Sequence, residues 1–323
     1  MILRSEDDAI ELSNEASVVT AGRIIEAVVI LLICVLVIGS NVMALATILT
    51  SPAQKEAMDY YILSLITADL LCGVLIIPLS VYPAIVREWI YGDLLCRITG
   101  FVELTLWSVT TYTFMWIAVD RYLAIRKPLR YDTIQTKTRC QCWMVFTWLT
   151  SIFLCCPPLL GFSKGLFYRD GLVCLLGLSN MLPYSTTLAV LVLVPSISTI
   201  VYSYFYIFST MHKLRQSMSE EEKEYATAMS ENLSNPDHMM ALILILVFAV
   251  SWIPWFSLRI YEQVAAEPVT SHYLHFCLLW LGVLNSIWKS IIYALMSPKF
   301  LYSLKLLCAS LCCRWKARPQ LIV

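Results

Sequence analysis

Charge is what this chain has least of: 14% of its 323 residues are Asp, Glu, Lys or Arg, while 59% are hydrophobic. A soluble domain of that length needs far more charge to cover its surface, so a water-exposed globule is excluded and a bilayer is implied. Mean hydropathy is +0.71. The first residues, Met1-Ile-Leu-Arg-Ser-Glu-Asp-Asp8, carry acids where a secretory signal has an apolar core, so the first spanning helix is expected to serve as its own insertion signal. Internal repeats and low-complexity tracts are missing. So are the inverted repeats and paired broken helices that would support the alternative of a transporter or channel using Asp69, Glu103 and Lys289 as an ion path. No nucleophile–base set or metal-ligand cluster stands out, so the chain reads as a non-enzyme with no metal or cofactor and no nucleic-acid partner.

Long apolar runs are what the chain does have. A hydrocarbon core about 30 Å thick takes roughly 20 apolar residues as a helix. Ala27–Leu49, Tyr60–Val86, Ile98–Val119, Cys142–Leu160, Leu182–Phe208, Met239–Leu258 and Tyr273–Leu295 all qualify, with polar connections between them. The alternation of barrel strands is absent, which leaves helices that satisfy their own backbones. The expected fold is all-α, a seven-transmembrane helix bundle.

Orientation follows from Lys and Arg near the span ends. Arg126, Lys127, Arg130, Lys137 and Arg139 after the third run, and Lys299, Lys305, Arg314, Lys316 and Arg318 in the tail, fall on one side. That side is expected to be cytoplasmic, with the amino end outside. The acidic stretch Glu220–Glu224 also lies there but weighs little in this rule. The expected organisation is an extracellular segment 1–23, a bundle over 24–296, and an amphipathic helix with cytoplasmic tail over 297–323.

Half of the 12 cysteines lie inside the apolar runs. Cys96, at the outer mouth of the third helix, and Cys174, between the fourth and fifth, face an oxidising compartment, so a disulfide is expected there. It would pin that loop across the mouth of a pocket. The sequon Asn232-Leu-Ser234 falls on the cytoplasmic side, so no N-glycan is expected.

A set of short motifs appears in order, about one per helix. They are Gly39-Ser-Asn41, Ser64-Leu-Ile-Thr-Ala-Asp69, Trp89-Ile-Tyr-Gly92 before Cys96, Asp120-Arg-Tyr122, Trp148, Pro195, Ser251-Trp-Ile-Pro254, and Asn285-Ser286 with Tyr293. Pro298-Lys-Phe300 then opens a short amphipathic helix. Over essentially the whole chain this resembles the rhodopsin-like (class A) G-protein-coupled receptors, of amine-receptor type or a related orphan. Arg121 ends a long helix beside Asp120, and a cation there needs a partner. The resemblance implies that activation frees Arg121 to meet a heterotrimeric G protein, with Tyr122 beside it and Leu129 docking in an apolar pocket of that partner. Pro254 removes a helical hydrogen bond and, with Trp252, marks a pivot for opening the inner end of helix six.

Helix seven departs from the family. The family reads Asn-Pro-x-x-Tyr, and this chain reads Lys289-Ser-Ile-Ile-Tyr293. The family's sodium pocket maps onto Asp69, Thr110, Asn285 and Ser286, with Asn41 nearby. A buried ammonium near a buried carboxylate should pair with it, so Lys289 is expected to bridge to Asp69 in place of the ion. The bland alternative is a Lys289 that snorkels toward the cytoplasm. Loss of the Asn-Pro pair also raises the alternative of an atypical receptor without conventional G-protein coupling. Ser234 and its neighbours supply no acid to lock Arg121 from helix six, so a leaky resting state is expected; separately, Ser203 sits where the family has the helix-five Tyr that supports the active state.

Glu103 lies two turns below Cys96, where amine receptors carry the acid that binds the ligand ammonium. Helical spacing surrounds it with Trp107, Thr187, Trp252, Trp255, Phe256 and Trp280. An acid walled by aromatics suits a cation. Arg259 is within reach of Glu103, however, and a Glu103–Arg259 tie would suit a zwitterion, a peptide or no diffusible ligand. In the tail, Phe300, Leu301, Leu304 and Leu307 form the inward face of a membrane-surface helix. Cys308, Cys312 and Cys313 beside Arg314 and Lys316 are candidates for palmitoylation. The end Leu321-Ile-Val323 fits a strand added to a PDZ-type scaffold.

Overall fold

In this computed structural model the described residues are 2–51, 56–160, 164–177, 182–216, 236–265 and 269–317. The acidic stretch Glu220–Glu224, the sequon at Asn232, Ser234, the side chains of Cys312 and Cys313, and Leu321–Val323 lie outside them. The chain runs α1 (Ile2–Thr50), α2 (Ala57–Leu75), α3 (Pro78–Val86), α4 (Gly92–Arg126), α5 (Tyr131–Ile134), α6 (Lys137–Cys155), β1 (Gly165–Tyr168), β2 (Val173–Leu176), α7 (Leu182–Gln216), α8 (Pro236–Ala265), α9 (His272–Met296) and α10 (Pro298–Ala317). Seven spans form one bundle, with α2 and α3 together making the second.

Among the described residues six helices are long and apolar enough to cross a membrane. The seventh spanning helix, α4, falls short of that apolarity for a positional reason. It packs against α2, α6, α7, α8 and both strands, so little of it meets lipid. It therefore tolerates hydroxyls, which satisfy themselves on its own carbonyls. Thr99 donates to Leu95 O (2.7 Å), Thr111 to Trp107 O (2.9 Å) and Thr113 to Val109 O (2.7 Å). The distribution elsewhere is that of a soluble protein turned inside out. Phe153, Phe205 and Val250 point outward, while Asn41, Asp69, Asp120 and Lys289 are buried.

Two boundaries differ from the apolar runs. The first helix begins at Ile2, well before Ala27. The run Tyr60–Val86 is not one helix: it breaks at Ile76–Ile77, where both amides bond to Cys72 O (3.0 and 3.1 Å). Pro78 brings no N–H and its ring crowds the preceding turn, so the ladder widens by one residue there and restarts.

β1 and β2 pair antiparallel, Phe167 opposite Cys174, and the hairpin lies across one end of the bundle. The Cys96–Cys174 disulfide ties it to α4. Gly100 makes the close approach feasible, because a Cβ there would sit 2.9 Å from Leu176 N. At this hairpin end Ile30, Leu172, Trp255, Leu279 and Trp280 form one apolar cluster. At the opposite end, near Arg121, Tyr61, Phe114, Met240, Leu244 and Tyr293 form another.

Candidate functional site: a cavity, a buried ion pair and a caged arginine

Beneath the hairpin lies a cavity of about 650 Å³. That is within the size range of small-molecule sites. Its walls are aromatic, with Trp107, Phe248, Trp252, Trp255 and Phe256, and Leu175 and Leu176 of the hairpin form part of its cover. Glu103 opens into it, and its Oε2 is buried without a hydrogen-bond partner among the described residues. Trp252 can sit flush because Gly282 faces it, where a Cβ would come within 2.9 Å of the indole.

Some expected wall residues are elsewhere. Thr187 is exposed and its hydroxyl donates to Pro183 O (2.8 Å), so the register of α7 turns Ser185 toward the cavity instead. Trp280 is buried outside the cavity, its indole N–H donating to Gly171 O of the hairpin turn (3.2 Å). Arg259 lines the rim but does not tie to Glu103. Its Nη1 is 2.7 Å from Glu262 Oε2, and the guanidinium lies over the Tyr168 ring at 4.8 Å. An acid one turn along the same helix needs no reach across an apolar space, so the local partner wins.

At the floor, Asn285, Ser286, Lys289, Ser290 and Tyr293 form one buried stripe of α9, set by helical periodicity. Lys289 Nζ lies 2.7 Å from Asp69 Oδ1, and Ser286 Oγ donates to the same oxygen at 2.8 Å. Both charged side chains are about 6% exposed, so Lys289 does not reach the bundle end. Asn41 holds the stripe to α1, donating to Ser286 O (3.3 Å) and accepting from Ser290 Oγ (3.0 Å). Asp69 Oδ2 and both polar atoms of Asn285 are buried without partners among the described residues. Thr110 lines the same space. Tyr293, one turn further, donates to Asp59 Oδ1 (2.7 Å) and packs on Phe300 of α10.

Arg121, 4% exposed, is caged at the far end. It donates to Asp120 through Nε (2.9 Å) and Nη2, and Nη2 also reaches Tyr131 Oη at 3.2 Å. Tyr131 in turn donates to Asp120 Oδ1 (3.0 Å), as does Gln135 (2.7 Å). Burial and the Asp120 carboxylate push the Tyr131 phenol above its ordinary value, so it remains a donor. Helix six also contributes. Asp237 Oδ2 lies 3.6 Å from Arg121 Nη1, which corrects the expectation that no acid there meets the arginine. The acid comes three residues after Ser234, because α8 starts at Pro236 and places Asp237 in its first turn. Pro followed by Asp is a helix-start signal that could have located it; Tyr131 and Gln135 had no such signal.

Tyr122 faces α7, its ring 5.0 Å from Tyr206 and 5.7 Å from Tyr202. Leu129, on the 3-10 turn Pro128–Arg130, is exposed, and so is Cys308. Phe300 is buried, with Leu301, Leu304 and Leu307 half-buried.

The hairpin end holds a further polar group that sequence reading passed over. Buried Glu26 of α1 meets Arg87 (2.6 Å) and His272 Nε2 (3.0 Å), and His272 Nδ1 lies 3.1 Å from Asp170 in the hairpin turn. Three spans and the hairpin are joined there by charge.

Comparison with known proteins adds the following. The family described as 7 transmembrane receptor (rhodopsin family) matches residues 40–293. The probable G-protein coupled receptor 21 of Mus musculus is 28% identical over 299 residues, covering 90% of this chain and 84% of that one. Octopamine receptor 1 of Lymnaea stagnalis is 33% identical over 156 residues, 48% of this chain but only 24% of that receptor. Squid rhodopsin superposes with a TM-score of 0.74 at 18% identity, over 89% of this chain and 85% of that one.

Proposed function

The chain belongs to the rhodopsin family of seven-transmembrane receptors, and from that premise we propose that it is a plasma-membrane receptor, amino end outside, relaying occupancy of the Glu103 cavity to a heterotrimeric G protein. The observation that carries this reading is that one helix, α8, contributes to both ends. Trp252, Trp255 and Phe256 wall the cavity, while Asp237 at the start of the same helix meets Arg121. Rotation about the Pro254 region draws Asp237 away and uncovers the guanidinium for a partner helix. Exposed Leu129 on the adjacent turn offers that partner an apolar contact.

The ligand that fits is a small organic cation. A carboxylate aimed into an aromatic cavity recognises an ammonium through Coulomb attraction and ring faces, and the partial likeness to an octopamine receptor points the same way. Lys289 stands where relatives of the family hold sodium, so the core is set by a covalently attached cation. Cys308 carries a lipid that anchors α10.

The test is basal second-messenger output, cAMP and calcium, in cells expressing the full chain at matched surface level. Asp237→Ala removes one of the contacts holding Arg121 and is expected to raise basal output about two- to fivefold, consistent with a surface-edge ion pair of up to about 1 kcal/mol. Arg121→Ala is expected to abolish output in either background. Output that survives Arg121→Ala would remove the coupling role.

A further inference from the structure

We infer that the cavity has a second polar subsite at its floor, Asn285 beside the Lys289–Asp69 pair, which takes a hydroxyl or similar donor–acceptor group at the far end of a cationic aromatic ligand. This rests on the reading that Glu103 holds the ligand's ammonium. The two sets of residues line one continuous space, with Cys72 and Thr110 lining it too. Asn285 is 1% exposed, yet neither its amide nitrogen nor its oxygen has a partner among the described residues. An amide presents both a donor and an acceptor, and buried amides are matched by groups that can do both.

The wall across the cavity offers no substitute. Thr187 of α7 faces outward on its own helix. The Tyr184 hydroxyl donates to Leu154 O (2.7 Å), and Ser185 is already engaged. The ligand's second polar end is therefore directed down toward α9 rather than sideways toward α7.

Lys289 sets the chemistry of that floor. With Asp69 alone the floor would be anionic and would attract a second ammonium. With the ammonium of Lys289 2.7 Å from the carboxylate it is neutral overall and strongly dipolar. A neutral phenol or alcohol gains hydrogen bonds there, whereas a second cation meets Lys289 and is repelled. The site thus selects a hydroxylated monoamine over both its deoxy analogue and a diamine.

The experiment uses purified full-length receptor and three probes built on one phenethylamine skeleton: phenethylamine, tyramine, and the diamine with an aminomethyl group in place of the phenol hydroxyl. Tyramine is expected to bind about tenfold more tightly than phenethylamine, one buried hydrogen-bonded group at roughly tenfold per such difference, and the diamine more weakly than both. Asn285→Leu should bring the ratio of tyramine to phenethylamine affinity to about one, whereas Glu103→Gln should weaken every probe. Equal affinities for tyramine and phenethylamine, or an advantage that survives Asn285→Leu, overturns the floor subsite while Glu103 stands. No Glu103-dependent binding of any probe overturns both.

Discussion

Lys289→Met is expected to be the most damaging single substitution in the bundle core. Methionine fills the lysine's volume but leaves Asp69 buried with, among the described residues, only the Ser286 hydroxyl as a partner. Breaking a buried pair by removing one member costs about 3–5 kcal/mol, because a charge is left uncompensated. For a protein of this size that corresponds to a fall in melting temperature of roughly 10 °C, read on purified receptor in detergent or nanodiscs. The double variant Lys289→Met/Asp69→Asn should recover most of the loss, since the amide still accepts from Ser286 and no net charge remains. A double variant no better than the single one would mean that Lys289 acts through packing rather than charge. The same pair makes a second measurable statement: replacing sodium by N-methyl-D-glucamine should leave thermal stability and signalling of the parent chain unchanged. In Lys289→Asn, which restores the family's residue, sodium should stabilise the receptor.

The second large effect is expected from Cys174→Ser. The disulfide closes the chain between Cys96 and Cys174, a separation of 78 residues. Loss of a native disulfide costs about 2–5 kcal/mol. Here the hairpin also forms part of the cavity's cover through Leu166, Leu175 and Leu176. Its other ties are non-covalent: the Trp280–Gly171 hydrogen bond, the Asp170–His272 contact, the Arg259 guanidinium over Tyr168, the burial of Tyr168 and Leu172 against Trp255 and Leu279, and the close passage of Leu176 over Gly100. These keep the hairpin on the bundle, while the covalent tie at Cys96 limits how far its cavity edge can lift. The variant should therefore melt earlier and release a cavity probe at least tenfold faster, while Arg121-dependent basal output, set at the opposite end, should change far less. An unchanged off-rate would remove the hairpin from any role in retaining a ligand.

Legibility differed between elements for physical reasons. Seven apolar runs were visible because a helix in lipid must be apolar along its whole length, and that constraint is local. The third run was the least apolar of the seven, and the structure explains why: α4 is surrounded by protein. The break before Pro78 was also available from one residue type, since proline cannot continue the ladder. The disulfide partners could be named because one cysteine lay at the mouth of a span and the other in the connection between two spans on the same side. Orientation of side chains around a helix was less readable. Thr187 and Trp280 fell outside the cavity because a rotation of tens of degrees, set by contacts with other helices, decides which face looks inward. Ionic partners were the least readable. Arg259 had two acids within nominal reach, and the sequence cannot rank a neighbour on its own helix against one across an apolar space.

By itself the amino-acid sequence pointed to a seven-helix membrane bundle with an arginine beside an aspartate at the end of one long helix and a carboxylate among aromatic residues toward the other end. These are properties of single segments, written in hydropathy and in residues at helix ends. The tertiary structure decided the charge partners that no motif placed. Lys289 was expected to meet Asp69, 220 residues away, because the resemblance puts both in one pocket, and it does; Asp237, 116 positions beyond Arg121 in the numbering, shares one small volume with it although nothing in the sequence paired them. Coulomb energy depends on distance in space and on the surrounding dielectric, and neither is encoded in any local stretch of chain.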